Sequence, residues 1–109
     1  MTTISFHMEE SRIVSFDVKG HSGYAEAGCD IVCAAITSAV RLVECTINDV
    51  LGLGAAVKVN EKSAKIGFHL PGGLSASADH ECQTILTGLM VYLTELHEEY
   101  PDSITVLEV

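Results

Sequence analysis

In TTISFHMEESRIVSFDVK (residues 2–19) apolar and polar side chains alternate, break at Glu9-Glu10-Ser11, and alternate again. Period-two alternation with β-branched and aromatic residues is the pattern of a half-buried strand. Thr2–Glu9 and Ser11–Lys19 therefore predict a β-hairpin with one wet face. The next segment is of another kind. GHSGYAEAGC (residues 20–29) is punctuated by Gly20, Gly23 and Gly28 and predicts a loop. Asp30 is a natural N-cap for a helix running to about Leu51, where Gly52 and Gly54 end it. Its apolar face centres on Val32, Ile36, Ala39, Val43 and Val50, its polar face on Arg41, Glu44 and Asn48.

Beyond that helix the pattern recurs. Ala55–Asn60 and Ala64–Leu70 predict a second hairpin turning at Glu61-Lys62-Ser63, and Pro71-Gly72-Gly73 breaks the chain. A second helix is expected from about Ser77 to Glu99, closed by Pro101. Ser103–Val109 supplies a last strand. The order ββαββαβ predicts a single α+β two-layer domain over residues 1–109, with two helices on one face of a largely antiparallel or mixed sheet.

Composition narrows the function classes. The chain of 109 residues carries a formal charge of −9. That charge disfavours direct nucleic-acid binding, since phosphate affinity depends on Lys and Arg, while a basic protein partner remains open. No N-terminal signal pattern is visible, and the apolar stretches look too interrupted to cross a membrane. Four cysteines without an export signal point to a reducing cytoplasm and free thiols.

Helical phase sorts those cysteines. Cys82 lies in the stripe Cys82, Ile85, Leu86, Leu89, Leu93, Leu96 and is expected to be an inert core residue. Cys45 falls toward the polar side of the first helix, exposed or at a subunit contact. Cys33 falls at the border of the two faces, third in a helix capped by Asp30, where unpaired N–H groups and the dipole favour an anion. His21 stands in the adjacent loop with eleven residues between the two, and an imidazole or a helix N-terminus can raise a thiol's thiolate fraction. A solvated loop histidine beside a half-buried cysteine fits the same spacing.

Other constellations are weaker. His80 and Cys82, two apart on a helix, point in divergent directions and cannot share a metal ion. The glycines match neither G-x-x-x-x-G-K-[ST] nor G-x-G-x-x-G. His7, His69 and His97 occur singly, and Glu95, Glu98 and Glu99 form a solvated helix end.

Gly20-His21-x-Gly23 followed by Asp30-Ile31-Val32-Cys33-Ala34-Ala35 resembles the ribosomal-processing cysteine protease family, and TILTGLMVYLTELHEEYPD (residues 84–102) is similar to that family's C-terminal helix. The resemblance covers nearly the whole chain. It implies a cytoplasmic α+β homodimer that uses no cofactor or metal. Such an enzyme removes the N-terminal extension of the precursor of bacterial large-subunit ribosomal protein twenty-seven. It also implies Cys33 as nucleophile and His21 as its base, on a loop that closes over substrate, with the Cys33 N–H as an oxyanion donor. Asp30 is either a cap or the group that orients His21. Thr37, one turn beyond Cys33, stands where relatives often have serine. Cys29 stands where the family does not lead one to expect a cysteine, which raises a reversible Cys29–Cys33 disulfide. A thiol redox switch and a non-catalytic ribosome-assembly adaptor are the competing classes; C-x₃-C spacing without a thioredoxin-like βαβ order disfavours the former.

Overall fold

The computed structural model describes residues 1–20 and 29–109, with side chains in the first helix described from Ile31 onward. The expectations for the glycine loop and His21, and for the side chains of Cys29 and Asp30, lie outside the described residues. The elements are β1 (Thr2–Glu9), β2 (Arg12–Lys19), α1 (Cys29–Cys45), a π-helical turn (Thr46–Val50), β3 (Ala56–Asn60), β4 (Lys65–His69), α2 (Ala76–Glu99) and β5 (Ile104–Glu108). This is the expected ββαββαβ order. The sheet runs β3-β4-β2-β1-β5, antiparallel throughout except for the parallel pair β1–β5, and is therefore mixed.

The first hairpin turns on two residues only, since Glu9 faces Arg12. Glu10 and Ser11 both take positive φ, 48° and 67°, as a two-residue type I′ turn requires. Neither is the Asn or Gly that adopts this conformation cheaply, which is why the sequence does not announce the turn. Farther along the hairpin, His7 pairs with Ser15 but Met8 pairs with Ile13, leaving Val14 as the extra residue of a β-bulge. The bulge resets the phase of β2. Ile13 and Phe16, three apart, both face inward and are buried, which strict alternation does not allow.

Register across the sheet is fixed by aromatics. Phe6, Phe16 and Phe68 occupy one row, with ring centroids 5.7 Å apart for the first pair and 5.1 Å for the second. A slip of one residue on any of these strands would turn its phenylalanine to the wet side. Val32, Ile36, Val40, Val43 and Ile47 from the α1 segment and Cys82, Leu86, Leu89, Leu93 and Leu96 from α2 close over this row. The opposite face of the sheet is polar, with the His7 Nε2 and Asp17 Oδ2 atoms 2.9 Å apart.

Two amide side chains fasten the layers. Gln83 of α2 accepts from the Ile13 N–H and donates to the Ile13 carbonyl, standing in for a strand where β4 has ended. Asn48 does the same for Ala55, accepting from its N–H at 2.7 Å and donating to its carbonyl at 3.0 Å. Helical phase places Asn48 on the outer polar face; in the fold it is half-buried and sets where the chain enters β3. Val50, expected on the apolar face, is 73% exposed, and Ile47 is fully buried instead. The i→i+5 bond from the Leu51 N–H to the Thr46 carbonyl explains the change, because it rotates the helix end out of α-helical phase.

Two further corrections concern α1. Cys29 is already helical, so Asp30 lies within the helix and is not the residue that caps it. The segment Ile31–Val50 is also long and apolar enough to cross a membrane, contrary to the expectation from sequence. Here its inner stripe builds the core.

Replacing Ser11 by glycine should relieve one left-handed residue, worth about 1 kcal/mol, and raise the melting temperature by roughly 3–6 °C. Thermal denaturation of Ser11→Gly followed by circular dichroism checks this; an unchanged or lower melting temperature would contradict the turn assignment.

The Arg12 guanidinium donates to both carboxylate oxygens of Asp79, tying the hairpin to the first turn of α2. This hydrogen bond lowers the Asp79 carboxyl below its usual range. A depressed carboxyl contributes stability above its unfolded pKa, and the contribution fades as pH falls through the lower folded value. The pair is partly exposed, and solvent screening holds its worth to about 0.2–1 kcal/mol. Asp79→Asn should cost that amount at neutral pH, and the difference from the parent should shrink below about pH 4 in urea titrations.

Candidate functional site

Cys33 sits on α1 with its side chain half-buried, at one end of a groove of about 550 Å³. One wall is the α1 stripe Cys33, Thr37, Val40, Arg41 and Glu44, residues three or four apart and therefore on one helical face. The opposite wall is the inner face of β3 and β4, with Val57, Val59 and Ile66. Thr2 and Val18 reach it from β1 and β2. The lining is apolar in its depth. Arg41, Glu44, Glu61 and Lys65 bring charge to it in equal numbers of each sign.

The position of α1 changes the chemistry expected at Cys33. With Cys29 already helical, the Cys33 N–H is positioned to pair within the helix with the carbonyl four residues earlier. It cannot then serve as the free oxyanion donor that the sequence suggested. The unpaired N–H groups belong to the preceding turn. Because every Cα–Cβ bond tilts toward the helix N-terminus, the Cys33 thiol leans toward that turn and its positive dipole end.

Gly20 leads into the segment that bears His21. Its φ is +91°, and a Cβ there would lie 2.6 Å from the Met1 carbonyl oxygen, so only glycine fits. Its N–H donates to the carbonyl of Ala64, which is itself part of the groove lining. The residue immediately before His21 is thus pinned to the wall of the groove that holds Cys33. Thr37, the other supporting candidate, is exposed on that groove.

The remaining thiols and histidines lie elsewhere. Cys82 is fully buried, and burial raises its thiol pKa, with the nearby carboxylates adding to the shift. Cys45 is exposed on the far part of α1. His80 is exposed, while His97 of α2 contacts the Ile104 carbonyl through Nδ1. Among the described residues no three His, Cys, Asp or Glu side chains converge as a metal site. Sequence reasoning missed the β3–β4 wall, because nothing local tells which strands lie opposite Cys33. The α1 wall was partly visible, since Arg41 and Glu44 marked the polar face that begins at Cys33.

A family model described as cysteine protease Prp matches residues 1–105. The ribosomal processing cysteine protease Prp of Bacillus subtilis is 29% identical over 94 residues, covering 86% of this chain and 84% of that protein. SMU.848 from Streptococcus mutans superposes with a TM-score of 0.88 at 21% identity, covering 100% of this chain and 94% of the other. The essential ribosomal processing protease Prp from S. aureus, solved in complex with a substrate peptide, gives 0.80 at 20% identity with 100% of both chains covered. The two structures share this mixed five-stranded sheet with its two helices. With the family match spanning almost its whole length, the chain belongs to the cysteine protease Prp family and is a thiol hydrolase.

Proposed function

We propose that this protein is an endopeptidase that removes the N-terminal extension of the precursor of bacterial large-subunit ribosomal protein twenty-seven, with Cys33 as nucleophile and His21 as general base. The observation that carries this reading is the shared wall. Cys33 opens onto a peptide-sized groove, and Ala64 of the same groove holds Gly20, one peptide bond from His21. The name of the Bacillus subtilis relative and the peptide bound to the S. aureus protein support the substrate class.

The steps are those of thiol chemistry. His21 takes the Cys33 proton, and the thiolate attacks the scissile carbonyl to form a tetrahedral intermediate. His21 returns the proton to the leaving amine, leaving an acyl-enzyme that a water activated by His21 then hydrolyses. Negative charge on the intermediate develops near the open end of α1, where the first-turn N–H groups and the helix dipole favour it. We assign Asp30 the orientation of the His21 ring. No cofactor or metal is required by this scheme. The reading includes a homodimer in the cytoplasm; exposed Ile31 and Leu42 on the outer side of α1 supply apolar surface for a second copy.

Cys33→Ala should abolish cleavage of the purified extended precursor with little change in melting temperature, since a half-buried thiol contributes little packing. His21→Ala should lower turnover by about 10² to 10⁴. Precursor processing by Cys33→Ala would overturn the assignment of the nucleophile, and turnover within about threefold of the parent would remove His21 as the base, since a general base is worth far more than that.

Gly20→Ala tests the anchor separately. A methyl group at positive φ against the Met1 carbonyl should cost about 1–3 kcal/mol or displace the chain ahead of His21. We expect both lower stability and lower turnover, read by urea titration and by precursor cleavage. Parental values in both would show that the pinning of Gly20 is irrelevant to the site.

A further inference from the structure

The sheet has one edge that its own fold leaves bare on two sides. Among the described residues β3 pairs only with β4, so alternate N–H and C=O groups along its outer edge lack strand partners. One of its inward side chains is also uncovered: Val57 and Val59 both belong to the apolar face of the sheet, and while Val57 is partly buried against the core, Val59 is 65% exposed. Both line the groove that contains Cys33. An unpaired backbone edge and an exposed apolar side chain on the same five residues are met by the same kind of partner.

We infer that the free edge of β3 receives the substrate as a sixth strand, which seats alternate apolar side chains against Val57 and Val59 and brings the scissile bond to Cys33. The inference rests on the peptidase reading and adds to it how the substrate is held and which side chains it needs. The dimensions favour an extended chain. The helical wall from Cys33 to Glu44 is about 16 Å long at 1.5 Å per residue. The five residues of β3 span about 17 Å. About five extended residues fill that length, and two or three of them face the groove, as strand alternation dictates. A helix of five residues would reach only about 7.5 Å and would leave the edge unpaired. Selection by charge is not expected, because Arg41 and Lys65 are balanced by Glu44 and Glu61 along the lining. Specificity therefore comes from apolar side chains at alternating positions, with backbone pairing supplying the register.

Cys33→Ala protein can bind without cleaving, so binding can be read apart from chemistry. A synthetic peptide spanning the cleavage region of the extended precursor is titrated into it, with amide hydrogen exchange followed by NMR. We expect alternate amides within Ala56–Asn60 to gain at least about tenfold protection on binding. Substituting the peptide's apolar residues one at a time by Asp should weaken binding about 10- to 100-fold at alternating positions only. Val59→Asp introduced into the same protein should weaken binding comparably at an unchanged melting temperature. Binding without protection in β3 and without sensitivity to Val59→Asp overturns the inference, as does failure of the peptide to bind. The two readings fail differently. A peptide that protects β3 but is not cleaved by the parent protein removes the peptidase reading and keeps the strand. Cleavage that depends on Cys33 with β3 unprotected does the reverse.

Discussion

Two helices cannot cover five strands. Strands about 4.8 Å apart make a sheet some 24 Å wide, while two packed helices of about 10 Å cover nearer 20 Å. The shortfall is about one strand, and the sheet order decides where it falls. Because the β3–β4 hairpin adds to the far side of β2, the uncovered strand is β3, at the edge beside α1. The groove is the consequence. Val59 would be a core residue under a third helix; in its absence it stays exposed, and with the half-buried Val57 it faces the flank of α1 across the groove that Cys33 shares. The hydrophobic cost of leaving Val59 bare is tolerable on a face whose use is to be covered by another chain.

The rest of the structure holds that flank still. The phenylalanine row across β1, β2 and β4 sets the register of the three central strands. Gln83 and Asn48 then fix two places where backbone would otherwise go unpaired, one beneath α2 and one where the chain turns from α1 toward β3. Each amide satisfies an N–H and a carbonyl at once, so its loss would strand two polar groups, at about 1–3 kcal/mol each where they are buried. The Asn48 contact matters more for the site, because it fixes the start of β3 relative to the helix that carries Cys33. The thiol and the strand opposite it are positioned by one chain segment.

Much of this was legible in the sequence because the signals are local. Alternation gave β1 and β2, glycines gave the helix end at Gly52, and the Cys82–Leu96 stripe gave the inner face of α2. The border position of Cys33 between apolar and polar faces foretold a half-buried thiol on an open groove. What failed to show was set by contacts distant in sequence or by small energy differences. The bulge at Val14 appears only once Phe16 must share a row with Phe6. The exposure of Val50 follows from a single i→i+5 hydrogen bond that 3.6-residue periodicity does not anticipate. Helical geometry already at Cys29, one residue ahead of the Asp30 cap expected from sequence, changes the Cys33 N–H from a free donor to a paired one. The β3 wall was invisible because the order of strands in a sheet is not written in any one of them.

Cysteine selectivity tests the central claim most directly. An exposed thiol is ordinarily the easier target, and Cys45 is more exposed than Cys33. The extended precursor's cleavage-region peptide, ending in an electrophilic ketone at the scissile position, is incubated with the parent protein under reductant, and the adduct is located by peptide mass spectrometry. If the groove presents substrate to Cys33, that residue alone is modified at low reagent excess, and Cys29, Cys45 and Cys82 remain free. Predominant modification of Cys45 or Cys29 would show that the peptide does not reach Cys33 through the groove, and would contradict the account.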